Sequence, residues 1–292
     1  MKIIHSYWSK PAQATFNKKP TEKLNGGWRH PKYQYMSWAL SCLSFKKYYD
    51  EIELVTDIAG EELLINQLKL PYTSVKVELD KLNNYSKKLW AIGKLFAFGL
   101  QDKPFIHVDN DVFIWEQFSK RIENAPLLAQ HMDIDEGHYT FAMQHLKDNG
   151  IKIPLILRQD FKKHKRYNVS NAGIIGGNDI EFFKKFSNQA FEFIDSNIEY
   201  VNGNIIGATY AIVYEQYLFS AMARSENIRI EHFIEDLRTE NMGLSNFIQK
   251  YEKRKYVHLI AGAKSYFESC RELEQQLILD YPEYHTRIIS LF

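Results

Sequence analysis

Over the first 115 residues, short apolar runs alternate with longer segments of helical spacing, and that alternation fixes the class of fold open to the chain. "KIIHSY", Lys2 to Tyr7, reads as a first strand, and Pro11 in the following "WSKP" predicts a turn, because proline fixes φ and lacks a donor. Residues 12–33 carry Pro20, Gly26, Gly27 and Pro31 and read as a loop. "YQYMSWALSCLSFKKYY" sets Met36, Leu40, Leu43 and Tyr48 at helical intervals. "EIELVTD" predicts a strand, "GEELLINQL" a short helix and "SVKVEL" another strand. "SKKLWAIGKLFAFGL" predicts a helix capped by Ser86, with Leu89, Ile92, Phe96 and Leu100 on one face. "PFIHV" ends the series as a strand. Such alternation implies an α/β fold with a mostly parallel, Rossmann-like central sheet flanked by helices. Sheets of that kind bind ligands beyond the carboxyl ends of their strands.

The second half is less regular. "YTFAMQHL" and "PLILRQ" are short elements, and "AGIIGG" is a strand between polar and glycine punctuation. "IEFFKKFSNQAFEFIDSNI" and "AIVYEQYLFSAMARSE" have helical periodicity. "KYVHLIAG" reads as a strand, and "SYFESCRELEQQLILDYPEY" as a helix interrupted at Pro282. With no internal repeat and no linker, a single domain of 292 residues with a helical carboxyl-terminal extension is the simplest organisation.

Composition narrows the function. Hydrophobic content of 45% and charged content of 25% are those of a globular chain with a full core. A net charge of +1 provides no global field for nucleic acid, and the basic run "FKKHKRY" reads as a solvated face or loop. Cys42 and Cys270 form neither a CxxC pair nor a disulfide framework, which fits a reducing, cytoplasmic setting. The apolar stretch in "MKIIHSYW" is far too short for a signal peptide or a membrane span, and no integral membrane segment is expected.

The chemistry gathers at "PFIHVDNDVFIW", Pro104 to Trp115, where Asp109, Asn110 and Asp111 interrupt an apolar run. A carboxylate removed from water costs several kcal/mol unless compensated. Two of them one residue apart need open solvent or a cation, and Mg²⁺ or Mn²⁺ takes such oxygens while keeping positions for phosphate. A polar turn capping a strand is the plainer alternative. In "YVHLIAGAKS", His258 is a third candidate ligand, with Gly262 allowing close backbone approach and Lys264 able to meet a diphosphate.

Taken in order, "VDND", "NAGIIGG" and "HLIAGAK" resemble three motifs of the family 8 retaining glycosyltransferases, which have the GT-A fold. The last motif of that family reads His-x-x-Gly-x-x-Lys-Pro. In this chain His258 and Gly262 stand one residue further apart, Gly262 and Lys264 one closer, and Ser265 replaces the proline, while the His-to-Lys separation is kept. The resemblance implies a GT-A type fold, with a nucleotide-binding half at about 1–115, a sugar and acceptor half at about 116–265 and a terminal helix at about 266–292. It implies transfer of a sugar from a nucleotide-sugar, foremost a UDP-sugar, to a sugar or glycoconjugate acceptor, with Mn²⁺ or Mg²⁺ held by Asp109, Asp111 and His258. Lys264, Gly262 and Asn110 would meet the diphosphate, and Lys94 would reach the donor. Asn171 and Gly173 would line the sugar or acceptor side. Glu215 and Gln216 would sit near the sugar as the catalytic pair. Tyr7 or Trp8 would stack on the base, and Asp57 would contact base or ribose.

Two alternatives stay open from sequence. One is a metal-dependent phosphoesterase or nucleotidyltransferase, which needs a denser carboxylate cluster for two metals. The other is a non-catalytic nucleotide-sugar or carbohydrate-binding protein.

Overall fold

The computed structural model describes residues 1–13, 26–133, 137–203, 207–235, 247 and 255–292. Nine strands are present among them: β1 Lys2–Tyr7, β2 Ile52–Thr56, β3 Ser74–Val77, β4 Phe105–Val108, β5 Val112–Ile114, β6 Leu127–His131, β7 Ile174–Gly177, β8 Ile230–Ile234 and β9 Tyr256–His258. The architecture is mixed α/β, with seven strands in a mostly parallel sheet flanked by helices and β5 with β9 in a second sheet. The chain does not divide at a single point. One compact unit gathers Met1–Asp80, Val108–Phe118 and Thr239–Phe292, and the other gathers Lys81–His107 and Ser119–Arg238.

In the first unit the strands run β3-β2-β1, parallel throughout, with Ile3 beside Ile52 and Leu54 beside Val75. Every residue of β2 is buried, and β1 is buried except at Ser6. That explains why neither strand shows a clean alternation of apolar and polar residues, although each also buries polar side chains, Lys2 and His5 in β1 and Glu53 and Thr56 in β2. The helix Pro31–Lys46 begins two residues before the predicted loop ends, with His30 as its N-cap and Pro31 in its first turn, where the missing N–H costs nothing. Pro11 likewise sits inside a short helix, Ser9–Gln13, instead of forcing a turn. Residues 14–25 of the predicted loop lie outside the described residues. Pro282 does interrupt the terminal helix, ending Phe267–Asp280 and opening Pro282–Ile289 at its first position.

The helix Pro31–Lys46 is buried on more than one face, from Met36 to Phe45. Its serines then need partners inside, and they recur at helical spacing as Ser37, Ser41 and Ser44. Ser37 donates to the Asn110 carbonyl at 2.7 Å, Ser41 to the Val112 carbonyl at 2.8 Å, and Ser44 accepts from the Ile114 amide at 3.3 Å. This row of hydroxyls fixes the backbone of the "DNDVFI" segment. Since Ser41 spends its proton on Val112, His5 Nε2, 2.9 Å away, is the donor to Ser41. Tyr72 OH, 3.1 Å from His5 Nδ1, then donates to that ring, and burial pushes the imidazole down to about 3, so it stays neutral.

In the second unit the strands run β4-β7-β6-β8, with β6 antiparallel to β7 and parallel to β8. Neither β6 nor β8 is evident from the sequence. β6 is buried along its whole length and includes Gln130 and His131, so it shows neither alternation nor an apolar run. The predicted helix capped by Ser86 instead starts at Ile92. Its buried residues include Ile92, Leu95 and Phe98, while Phe96 and Leu100 are half-buried. Phe98, Phe105, Phe183 and Phe219 pack ring on ring, so much of the aromatic content is core.

The paired glycines of "AGIIGG" answer to packing. A Cβ on Gly176 would lie 2.2 Å from the Phe105 carbonyl oxygen, and one on Gly177, at φ +146°, 2.1 Å from the Pro126 carbonyl oxygen. Gly176→Ala is therefore expected to cost about 3 kcal/mol, because the obstacle is backbone and not a movable side chain. A lowered urea midpoint at unchanged slope is the expected reading; an unmoved midpoint would show that the sheet opens freely there.

Candidate metal centre and its surroundings

The centre is assembled by strand register. β4 ends at Val108, the chain turns through Asp109, Asn110 and Asp111, with the Val112 amide donating to the Asp109 carbonyl at 3.1 Å, and β5 follows at once. β5 pairs antiparallel with β9, which sets Val112 opposite His258, Phe113 opposite Val257 and Ile114 opposite Tyr256. The Leu259 amide donates to the Asp111 carbonyl at 3.0 Å and closes the register next to the acids. Alternation turns Phe113 the other way, where it stacks on Phe247 at 5.5 Å within the apolar core of this unit.

The result is that one ligand atom each from Asp109, Asp111 and His258 lies within 4.8 Å of the others. Among the described residues no other trio of His, Cys, Asp or Glu gathers so closely. Asp111 is 1% exposed and His258 4%, while Asp109 is half-buried and opens the group toward solvent. His258 Nε2 lies 3.3 Å from Asp111 Oδ1. That oxygen nonetheless makes no hydrogen bond of acceptable geometry and is buried. A buried carboxylate oxygen without a bonded donor needs an explanation, and a cation between it and the imidazole supplies one. The residues present therefore fit a divalent metal.

Lys264 Nζ forms an ion pair with Asp111 Oδ2. Burial alone would raise the Asp111 carboxyl, but the neighbouring Lys264 and His258 outweigh it and hold the group well below the usual carboxylate range. Lys264 stands in a tight 3-10 turn, Ala261–Ser265, secured from several sides. Arg29 Nη1 donates to the Ser265 carbonyl at 3.2 Å, and the Cys270 thiol contacts the Lys264 carbonyl at 3.4 Å. Ser265, where the family 8 motif has proline, closes the turn by donating its hydroxyl to the Gly262 carbonyl at 2.7 Å. Gly262 is exposed, and a Cβ there would meet no protein atom within 4 Å.

Tyr7, Trp8 and Asp57 lie in the same unit, away from solvent. Tyr7 is buried edge-on against Trp38, with centroids 5.2 Å apart, and Trp8 is buried as well. Asp57 spends both oxygens inside the protein: Oδ2 accepts from the Ser9 amide and hydroxyl at 2.8 and 2.7 Å, and Oδ1 caps a helical turn through the Gly60 amide at 2.8 Å.

The second unit holds the remaining candidates in two groups. Lys94 Nζ and Glu215 Oε1 form an ion pair at 2.8 Å, with Glu215 1% exposed. The helical run predicted around Glu215 is broken by a π-helical turn, Ile212–Tyr217, a rare geometry that recurs at functional sites. Gln216 Oε1 lies 2.9 Å from the Tyr139 hydroxyl, which is also 2.8 Å from Asp133 Oδ2. Burial would raise the Asp133 carboxyl, yet hydrogen bonds from His131 and Tyr139 bring it below its ordinary value. Asn171 Oδ1 accepts from the Gly173 amide at 2.9 Å, and the Asn171 backbone N–H donates to the His131 carbonyl at 2.9 Å.

Sequence reading missed the serine row, Tyr139 and Asp133. The serines had a usable signal, small hydroxyls at helical intervals inside an otherwise buried helix. Tyr139 and Asp133 had none, since only folding brings them to Gln216.

Over residues 1–291 the chain matches a family described as a family of unknown function (DUF6734). No curated protein matches it. Among solved structures it is similar to the galactosyltransferase LgtC in complex with donor and acceptor sugar analogs, at 11% identity and a TM-score of 0.46, over 98% of this chain and 100% of that one.

Proposed function

We propose that this chain, which belongs to the family of unknown function DUF6734, is a metal-dependent glycosyltransferase using a nucleotide-sugar donor, foremost a UDP-sugar, and a sugar or glycoconjugate acceptor. One observation carries the reading: Asp109, Asp111 and His258 converge around a buried, unbonded carboxylate oxygen. Carboxylates with one imidazole suit Mn²⁺ or Mg²⁺, and three protein ligands leave positions for diphosphate oxygens. A closed structural zinc site would take four ligands. The order and spacing of the three motifs in sequence support the same class. A two-metal phosphoesterase is disfavoured, because the described residues offer a single such trio.

A divalent metal, when bound there, would neutralise charge on the leaving nucleoside diphosphate. Lys264 keeps Asp111 ionised and carries a second positive charge to the same place. Asn110 and Gly262 face the diphosphate in this reading, with Gly262 leaving room beside its backbone. In the second unit, the Lys94 ammonium lies 2.8 Å from Glu215 Oε1. Glu215 can then accept a hydrogen bond from an acceptor hydroxyl or stabilise positive charge growing at a sugar carbon. Gln216, beside the Tyr139 hydroxyl at 2.9 Å, and Asn171 offer amides to sugar hydroxyls.

The test is a thermal-shift screen of nucleotide-sugars with and without Mn²⁺. Binding at a hundredfold excess over Kd stabilises by about 2.7 kcal/mol, so a UDP-sugar should raise Tm by several degrees only when Mn²⁺ is present. No Mn²⁺-dependent shift with any nucleotide-sugar would remove the reading, as would turnover of simple phosphate esters without a sugar donor. Slow release of UDP from the donor is expected and separates an active enzyme from a binding protein. Gly262→Ala should leave Tm unchanged, since no protein atom is near, yet weaken donor binding by about tenfold, roughly 1.4 kcal/mol. Equal donor affinity in that variant would place the diphosphate elsewhere.

A further inference from the structure

The basic run "FKKHKRY" belongs to no site described above, and its arrangement in the second unit is not that of an ordinary solvated helix. The helix Leu155–His164 buries Leu157 and Asp160. Its outward side carries Leu155, Arg158, Gln159, Lys162 and Lys163, all exposed and spaced for one face, and Lys165 and Arg166 follow in the open. The acid of this stretch is turned away from the stripe: Asp160 takes a two-pronged ion pair from Arg224, at 2.7 and 2.8 Å. Elsewhere in this unit Lys94, Lys120, Arg121, Lys184 and Arg224 each meet a carboxylate, while Lys87, Lys88, Lys147 and Lys152 meet none among the described residues and do not share one helix face. Among the described residues, none of Arg158, Lys162, Lys163, Lys165 and Arg166 meets a carboxylate. Favourable interaction with the helix dipole accounts for cations in the last turn, Lys162 and Lys163, but not for Arg158 before it or Lys165 and Arg166 beyond it.

We infer that this outward face is a peripheral docking surface for an anionic lipid bilayer. A helix of this length, about 15 Å, presents Arg158, Lys162 and Lys163 on one face that a plane of headgroups can meet at once. Leu155, 57% exposed at the head of the row, supplies an apolar side chain for the headgroup boundary. Single-stranded nucleic acid fits less well, since it needs aromatic faces for its bases. The two aromatics of the run are spent on each other: Phe161 and Tyr167 stack at 4.7 Å, and Tyr167 is buried. A net charge near zero hides this surface, because the rest of the chain balances it.

The experiment is cosedimentation of the full chain with vesicles of phosphatidylcholine alone or mixed with phosphatidylserine. Binding is expected on the mixed vesicles only, and should be lost as salt shortens the Debye length. Each Lys near such a surface contributes about fivefold in affinity, so Lys162→Gln, Lys163→Gln and Lys165→Gln together should weaken binding about a hundredfold. The triple variant should keep the Tm and the Mn²⁺-dependent donor shift of the parent, which separates this surface from the proposed transferase site. Equal binding to neutral vesicles, no binding to the mixed ones, unchanged binding by the triple variant, or displacement by single-stranded RNA at lower charge concentration than lipid would each overturn the assignment.

Discussion

Asp111→Asn is expected to lower Mn²⁺-dependent donor affinity by at least about a hundredfold, roughly 2.7 kcal/mol, read by calorimetric titration with and without the metal. The substitution keeps the shape of the side chain but removes the charge that faces His258 and Lys264. It also disturbs the fold locally, because Lys264 loses its partner. Lys264→Gln separates the two effects. Without the ammonium, Asp111 no longer divides its charge between lysine and metal, so metal affinity should rise while donor affinity falls. Parallel loss of both would mean that Lys264 only props up the turn, and an unchanged Asp111→Asn titration would remove the metal centre altogether.

Lys94→Met is expected to cost about 3–5 kcal/mol of stability, because it removes the cation paired at 2.8 Å with the buried Glu215 side chain, 1% exposed. Replacing both residues, Lys94→Met with Glu215→Met, should recover most of that loss, since an apolar pair of similar volume can match a buried ion pair. Glu215→Gln should remain folded and lose sugar transfer while retaining metal-dependent donor binding. Urea melts of the four proteins, set beside transfer and binding assays, check all three statements. A single Lys94→Met loss below about 1 kcal/mol would show that water reaches the pair, as at an exposed salt bridge.

What the sequence discloses and what it withholds divide along physical lines. The parallel core is legible because β1, β2 and β4 each hold at least two apolar residues and stand between segments of helical spacing, even with His5, Glu53 and His107 buried among them. Asp109 and Asp111 stand out because they interrupt such a run. Their partnership with His258 depends on β5 pairing with β9, a contact between distant parts of the chain that leaves no local periodicity. β6 escapes notice because Gln130 and His131 are buried polar residues inside a strand, and pattern reading takes polarity for exposure. Ser86 misleads because a good capping residue precedes a stretch whose first regular turn begins only at Ile92. "AGIIGG" draws attention for its glycines, and those at 176 and 177 turn out to answer to neighbouring backbone.

The pairing of β5 with β9 has a consequence for biogenesis. A nascent chain leaving the ribosome presents both acids long before the imidazole and Lys264 have been synthesised, so the proposed metal site cannot assemble until β9 and the turn after it have emerged. Proteolytic clipping or premature termination ahead of Tyr256 would leave the acids without those partners.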